Sequence, residues 1–202
     1  SRFVWGDRSI YELAAARFWT EVAAKTASEF VALKMAERDE RHKRMGDSRY
    51  LVEPNVKDGK GGLRDLHTLY WIGKYIHRVK SSAALVDVQL LSADEYRKFA
   101  KAENFLWSVR CHLHMIAGRA EDRLAFEHQR EIAERMHFAP RPGRSAVERF
   151  MQYYFLNAKT VGDLTGVFVA HLDDAMGKKG RRFLPTFTRK PRKLNGFKLE
   201  RG

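Results

Sequence analysis

Apolar positions in this chain recur three and four residues apart, the spacing of helices, and nowhere alternate long enough to mark a strand. Residues 9–24 and 28–45 read as two helices, or one bent helix, rich in Ala, Leu, Glu, Lys and Arg. Ser28 is a candidate cap for the second and Gly46 its stop. The run from Glu37 to Arg44 alternates in charge and reads as a solvated face. Tyr50-Leu51-Val52 is expected to be extended, because Pro54 disfavours helix at Glu53. A helix then opens after Gly62 and runs to about Arg78. Leu63, Leu66, Leu69, Gly73 and Ile76 form its buried stripe, and Arg64, His67, Trp71, Lys74 and Arg78 lie along another face.

Ser92-Ala93-Asp94-Glu95 has the form of a capping box. The helix it starts is expected to reach Ala117 and stop at Gly118. Phe99, Ala102, Leu106, Val109, Leu113 and Ile116 make a seam on it, with Glu103, Trp107, Arg110 and His114 on the adjacent face. A shorter helix covers about 127–136, and Pro140, Pro142 and Gly143 make a loop. A second capping box, Ser145 to Glu148, opens the longest helix, to about Asp174, with Val147, Phe150, Tyr154, Val161, Leu164 and Phe168 inward. The class is all-α, and short loops favour an antiparallel helical bundle.

Charge divides the chain. The net charge is +13, yet ten basic residues against the single acid Glu200 put +9 of it beyond residue 176. Residues 1–176 therefore read as one helical domain and 177–202 as a basic, irregular linker toward a further domain. A 44% hydrophobic, 12% aromatic composition suffices for a core. No run of eighteen apolar residues exists, so no membrane span is expected, and the first residues lack a signal pattern. The single Cys111 forms no internal disulfide and fits a reducing cytoplasm; mid-helix and without an activator, it reads as a buried neutral thiol. His112 and His114 sit two apart on a helix and point away from each other, so no metal site is assigned.

The segment Glu53-Pro54-Asn55-Val56-Lys57-Asp58-Gly59-Lys60-Gly61-Gly62-Leu63-Arg64-Asp65-Leu66 carries the strongest chemical signal. Three glycines in four residues precede a helix start and are bracketed by Lys57 and Arg64. Glycine lets backbone approach a ligand, a helix start offers unpaired amides to an anion, and lysine and arginine add charge. This is a candidate phosphate contact, although it has neither P-loop nor dinucleotide spacing. A glycine-rich connector is the plain alternative. Lys57, Gly61, Gly62, Arg64 and Asp65 are the candidate nucleotide-binding residues. Leu63 and Arg64 would present amides, and Asp65 would orient Arg64 or a lysine, or simply pair with Arg64. Arg110, His114, Arg119 and Asp122 are candidates to line a cleft, or to form ion pairs between helices.

The run E-P-N-V-K-D-G-K-G-G-L-R-D-L resembles the signature of the bacterial PII uridylyltransferase/uridylyl-removing family. Its core is also similar to one in the glutamine synthetase adenylyltransferases. The stretches 102–124 and 146–165 resemble the same uridylyltransferase family, so that ordered matches span roughly 30–170. Lys60 and His67 depart from that pattern, where proline and glutamine are frequent.

The resemblance implies a helical bundle of the nucleotidyltransferase-associated type. It implies a whole enzyme that moves UMP from UTP to a tyrosine of the PII signal protein, and removes it, in nitrogen regulation. The family holds Mg²⁺ on carboxylates of an upstream catalytic domain and removes uridylyl groups in a His-Asp domain downstream. This chain has no Asp-x-Asp and no His-Asp dipeptide, so it reads as a middle piece with no catalytic residue of its own. Its implied partners are PII and those two domains. A structural helical spacer, or a basic nucleic-acid-binding module, are the competing classes, the last disfavoured by the mild charge of residues 1–175.

Overall fold

Asp7 begins the first helix: its carboxylate accepts from the Ser9 amide at 2.8 Å, satisfying one of the four amides that a helix start leaves open. The computed structural model describes residues 3–177. Six α-helices follow in order: α1 (Arg8–Arg17), α2 (Ala24–Arg44), α3 (Leu63–His77), α4 (Ala93–Ala117), α5 (Phe126–Arg135) and α6 (Ala146–Gly177). A π-helical segment, Phe18–Ala23, joins α1 to α2 with no break between them. The chain thus takes the single-helix alternative from Arg8 to Arg44, and Ser28 lies inside α2 instead of capping it. The basic segment assigned to 177–202 lies outside the described residues, apart from Gly177 at the end of α6.

The described residues contain no strand, only the isolated bridges Asn55↔Arg123 and Arg141↔Arg144. The fold is an all-α bundle. α6 packs along α3, α4 and α5, and α2 lies on α3. Leu63, Leu66, Leu69 and Ile72 of α3 meet Phe99, Ala102, Leu106, Val109 and Leu113 of α4, and Phe150, Tyr154, Val161 and Phe168 of α6, all buried in one cluster. Burying each large apolar side chain contributes about 1.5–3 kcal/mol, so these facing stripes hold the helices together. Burial pushes the Tyr154 hydroxyl far above its ordinary range. α1 buries none of its residues and leaves Ile10 and Leu13 exposed.

Two ends are set locally. Ser92 accepts from the Glu95 amide at 3.2 Å while Glu95 accepts from the Ser92 amide at 2.7 Å, a complete capping box. Gly118 ends α4 in the left-handed region, at φ 62°. Ser92→Ala is expected to lower stability by about 1 kcal/mol, read as a shift in thermal midpoint, because one helix-start amide then loses its acceptor.

Candidate functional site

The glycine segment is a knot tied to a second, distant segment. The Val56 amide donates to the Asp122 carbonyl at 2.8 Å and the Leu124 amide to the Pro54 carbonyl at 2.9 Å. Glu53 accepts from the Phe126 amide and from Arg123. Asn55 Oδ1 accepts from the amides of Lys57 and Asp58, which turns the chain toward α3.

The helix-start amides are all spent inside this knot. Gly62 N donates to the Gly59 carbonyl, Leu63 N to Val56, Arg64 N to Lys57, and Gly61 N to Asp65 Oδ2. Leu63 and Arg64 therefore present no free amide to an anion, contrary to expectation. Gly61 and Gly62 are buried. A Cβ on Gly61 would stand 2.4 Å from the Ala158 carbonyl oxygen of α6, and one on Gly62 2.7 Å from the Val56 carbonyl. Both glycines stand where backbone packs too closely for a side chain.

Asp65, also named as a ligand contact, is only 2% exposed. It does not touch Arg64. Its carboxylate accepts from Arg41 Nη2 at 2.5 Å, from His42 Nε2 at 2.9 and 3.0 Å, and from the Gly61 amide at 2.9 Å. Since a carboxylate only accepts, His42 must carry its hydrogen on Nε2. Burial pushes the Asp65 carboxyl up, but the His42 bond and charge, the Gly61 amide and the Arg38 charge outweigh it and hold the group below the usual range. Arg41 and His42, placed by sequence on a solvated face, are buried.

The cations are what reach the surface. Arg64 Nε donates to Asp58 at 3.2 Å, and its guanidinium lies over the Trp71 ring at 5.6 Å. Arg110 donates to Asp122 Oδ1 at 2.6 Å and lies over Trp107 at 5.3 Å. Lys57 Nζ stands 3.4 Å from Asp122 Oδ2, and His114 Nε2 stands 3.3 Å from Oδ1. Burial raises the Asp122 carboxyl, but bonds from Arg110 and His114 and the charges of Arg110 and Lys57 hold it below the usual range. His67 links the two halves, its ring 5.9 Å from Trp71 and 6.0 Å from Trp107. Burial lowers its pKa, and the charges of Arg64 and Arg110 lower it further.

The candidate site is therefore one half-exposed patch of Lys57, Arg64, Arg110 and His114 around Asp58 and Asp122, floored by Trp71, His67 and Trp107. It joins the two groups that sequence kept apart. Arg119 does not belong to it: its side chain is exposed and pairs with Glu121. The aromatic floor was missed as a site, although Arg64-His67-Trp71 and Trp107-Arg110-His114 recur at helical spacing. Cys111 is exposed, not buried. Among the described residues no group of three or more His, Cys, Asp or Glu is placed to hold a metal ion, and no helix is long and apolar enough to cross a membrane.

Comparison with known proteins covers both of these segments. Residues 29–169 match the family model described as GlnD PII-uridylyltransferase. The chain is 63% identical, over its whole length, to a bifunctional uridylyltransferase/uridylyl-removing enzyme of Novosphingobium aromaticivorans, of which it covers 22%. It is 61% identical over 98% of its length to the enzyme of the same description from Erythrobacter litoralis, and 52% identical over its whole length to that of Rhodospirillum rubrum, covering 22% of each. It thus spans about a fifth of the length of these relatives. No solved structure matches it. The knot of glycine segment, Asp122 segment and α4 cations lies wholly within the matched residues, and the chain belongs to the PII-uridylyltransferase family.

Proposed function

We propose that this chain is the helical, nucleotide-supporting part of a cytoplasmic enzyme that transfers UMP from UTP to a tyrosine of the PII signal protein and removes it, in nitrogen regulation. The observation that carries the reading is the convergence of Lys57, Arg64 and Arg110 on one surface, each cation held by a carboxylate it can share or exchange. Phosphate oxygens arriving there would replace part of the contact to Asp58 and Asp122, and Arg64 and Arg110 offer the guanidinium fork that suits them. The contribution is orientation and charge stabilisation of a triphosphate, with no nucleophile or general base drawn from this chain.

Nucleotidyl transfer draws Mg²⁺ to carboxylates that polarise the phosphates. The donor set here does not fit that ion, because Asp58 and Asp122 are each engaged by arginine. The metal is assigned to another part of the whole enzyme. That part, the hydrolase part and PII are the proposed partners.

The test is a Lys57→Ala/Arg64→Ala double variant of the whole enzyme. Charge-assisted contacts contribute about 1.5–3 kcal/mol each, so kcat/KM for UTP should fall at least about tenfold. Both side chains are about a third exposed and their ion pairs are weak, so the thermal midpoint should hardly move. Unchanged kinetics would instead identify a helical spacer.

A further inference from the structure

Glu103 stands apart from every other carboxylate near the site. It is half-buried on α4, and among the described residues it has neither a hydrogen bond nor an ion pair. Burial alone pushes its carboxyl pKa up. The chain has 38 lysines and arginines, yet none of them lines the cleft that Glu103 faces. Glu103 lines a cleft of about 430 Å³ with His67, Tyr70, Trp71, Ser81 and Ser82. Tyr70 donates to the Lys80 carbonyl at 3.0 Å and so holds the serine-bearing loop against α3. The Ser81 and Ser82 hydroxyls have no partner among the described residues.

The chemistry of this cleft is narrow. Flat aromatic walls suit a planar ring. One unpartnered carboxylate asks for an N–H, and two free hydroxyls can donate to carbonyl oxygens. A uracil ring has that sequence of groups on one edge: an imide N–H between two carbonyls. The position also fits. Trp71 is shared between this cleft and Arg64, and His67 reaches Trp107 beneath Arg110, so a base here leaves its phosphates over the cation patch.

We propose that the cleft between α3 and α4 takes the uracil base of the nucleotide, with the Glu103 carboxylate accepting the imide N3–H and the Ser81 and Ser82 hydroxyls meeting the ring carbonyls. The proposal rests on the reading that Lys57 and Arg64 hold the phosphates, and it adds a specificity determinant. Cytosine would present a lone pair at N3 to the carboxylate and be repelled. Specificity of this kind comes from groups left unpaired by the wrong ligand.

The experiment is steady-state kinetics of the whole enzyme with UTP, CTP and 3-methyl-UTP, for the parent, Glu103→Gln and the Lys57→Ala/Arg64→Ala variant. Glu103→Gln should lower kcat/KM for UTP about tenfold, because a hydrogen bond to a charged acceptor becomes one to a neutral amide oxygen. It should also raise the relative use of CTP, because the amide can donate to cytosine N3. The parent should reject 3-methyl-UTP. The phosphate variant should lower UTP and CTP by a common factor and leave their ratio alone. Removing an unpartnered, half-buried charge should not lower the thermal midpoint, so a melt of Glu103→Gln separates misfolding from lost recognition. An unchanged UTP/CTP ratio in a well-folded Glu103→Gln overturns the base cleft. If the phosphate variant still loses activity, only the cleft falls; if that variant is also silent, the nucleotide reading falls with it.

Discussion

Asp65→Ala is expected to cost about 3–5 kcal/mol of folding stability, the range for removing one partner of a buried ion pair. The carboxylate is 2% exposed and holds three groups at once: Arg41, His42 and the Gly61 amide. Its loss leaves the Arg41 guanidinium buried with no anion, while Arg41 Nε already lacks any hydrogen-bond partner. Replacing all the charged partners by apolar groups would cost less than removing one, because the expense lies in the orphaned charge. For a domain of this size the thermal midpoint should fall by about 6–20 °C. A melt that leaves the midpoint within 2–3 °C, about the shift per kcal/mol, would contradict the keystone role of Asp65.

The same carboxylate sets an acid limit. Its folded pKa is held below the ordinary value, so its contribution is fully present above the unfolded pKa of about 3.9 and is lost as pH falls through the lower, folded one. Asp122 behaves in the same direction. Asp65→Asn should therefore flatten the fall in stability at the acid end, measured as urea midpoint against pH. A parent and variant with parallel acid limbs would show that Asp65 does not titrate as described.

How legible these features were depended on how local their causes are. The boxes at Ser92 and Ser145 join partners three residues apart and the stop at Gly118 is the backbone of one residue, and the structure has them where spacing put them. The seam from Phe99 to Leu113 was equally plain, since a stripe three and four apart must find a partner. Ser28 misled because a cap residue means nothing where the preceding helix never ends, and the π-helical Phe18–Ala23 carries α1 straight into α2. Arg41 and His42 misled because their partner lies more than twenty residues away. The spacing does carry a local signal of their burial: Val31, Met35, Arg38 and His42 continue one stripe at four, three and four. At the site, Lys57, Arg64 and Arg110 were each legible, but their union was not. Asp122 joins Lys57 to Arg110 across more than fifty residues, and no helical period encodes that.

Gly61→Ala should be the costliest single-methyl addition in the loop. Gly61 has φ 83°, where an L side chain costs about 1–2 kcal/mol by itself. The new Cβ would also stand 2.4 Å from the Ala158 carbonyl oxygen and 2.9 Å from its carbonyl carbon, so rigid α6 backbone must move. Overpacking of that kind costs about 1–3 kcal/mol more. Gly118→Ala is the internal control: it shares the left-handed backbone, at φ 62°, but its Cβ would meet nothing within 4 Å. The difference between the two variants isolates the steric part. Because Gly61 also donates to Asp65, displacing it loosens the knot that positions Lys57 and Arg64. Gly61→Ala in the whole enzyme should therefore lower both the thermal midpoint and kcat/KM for UTP, whereas Gly118→Ala should lower only the first. Equal losses of stability in the two would mean that the loop gives way at Gly61 instead of pressing on α6, and that close packing against Ala158 is not what the glycine is for.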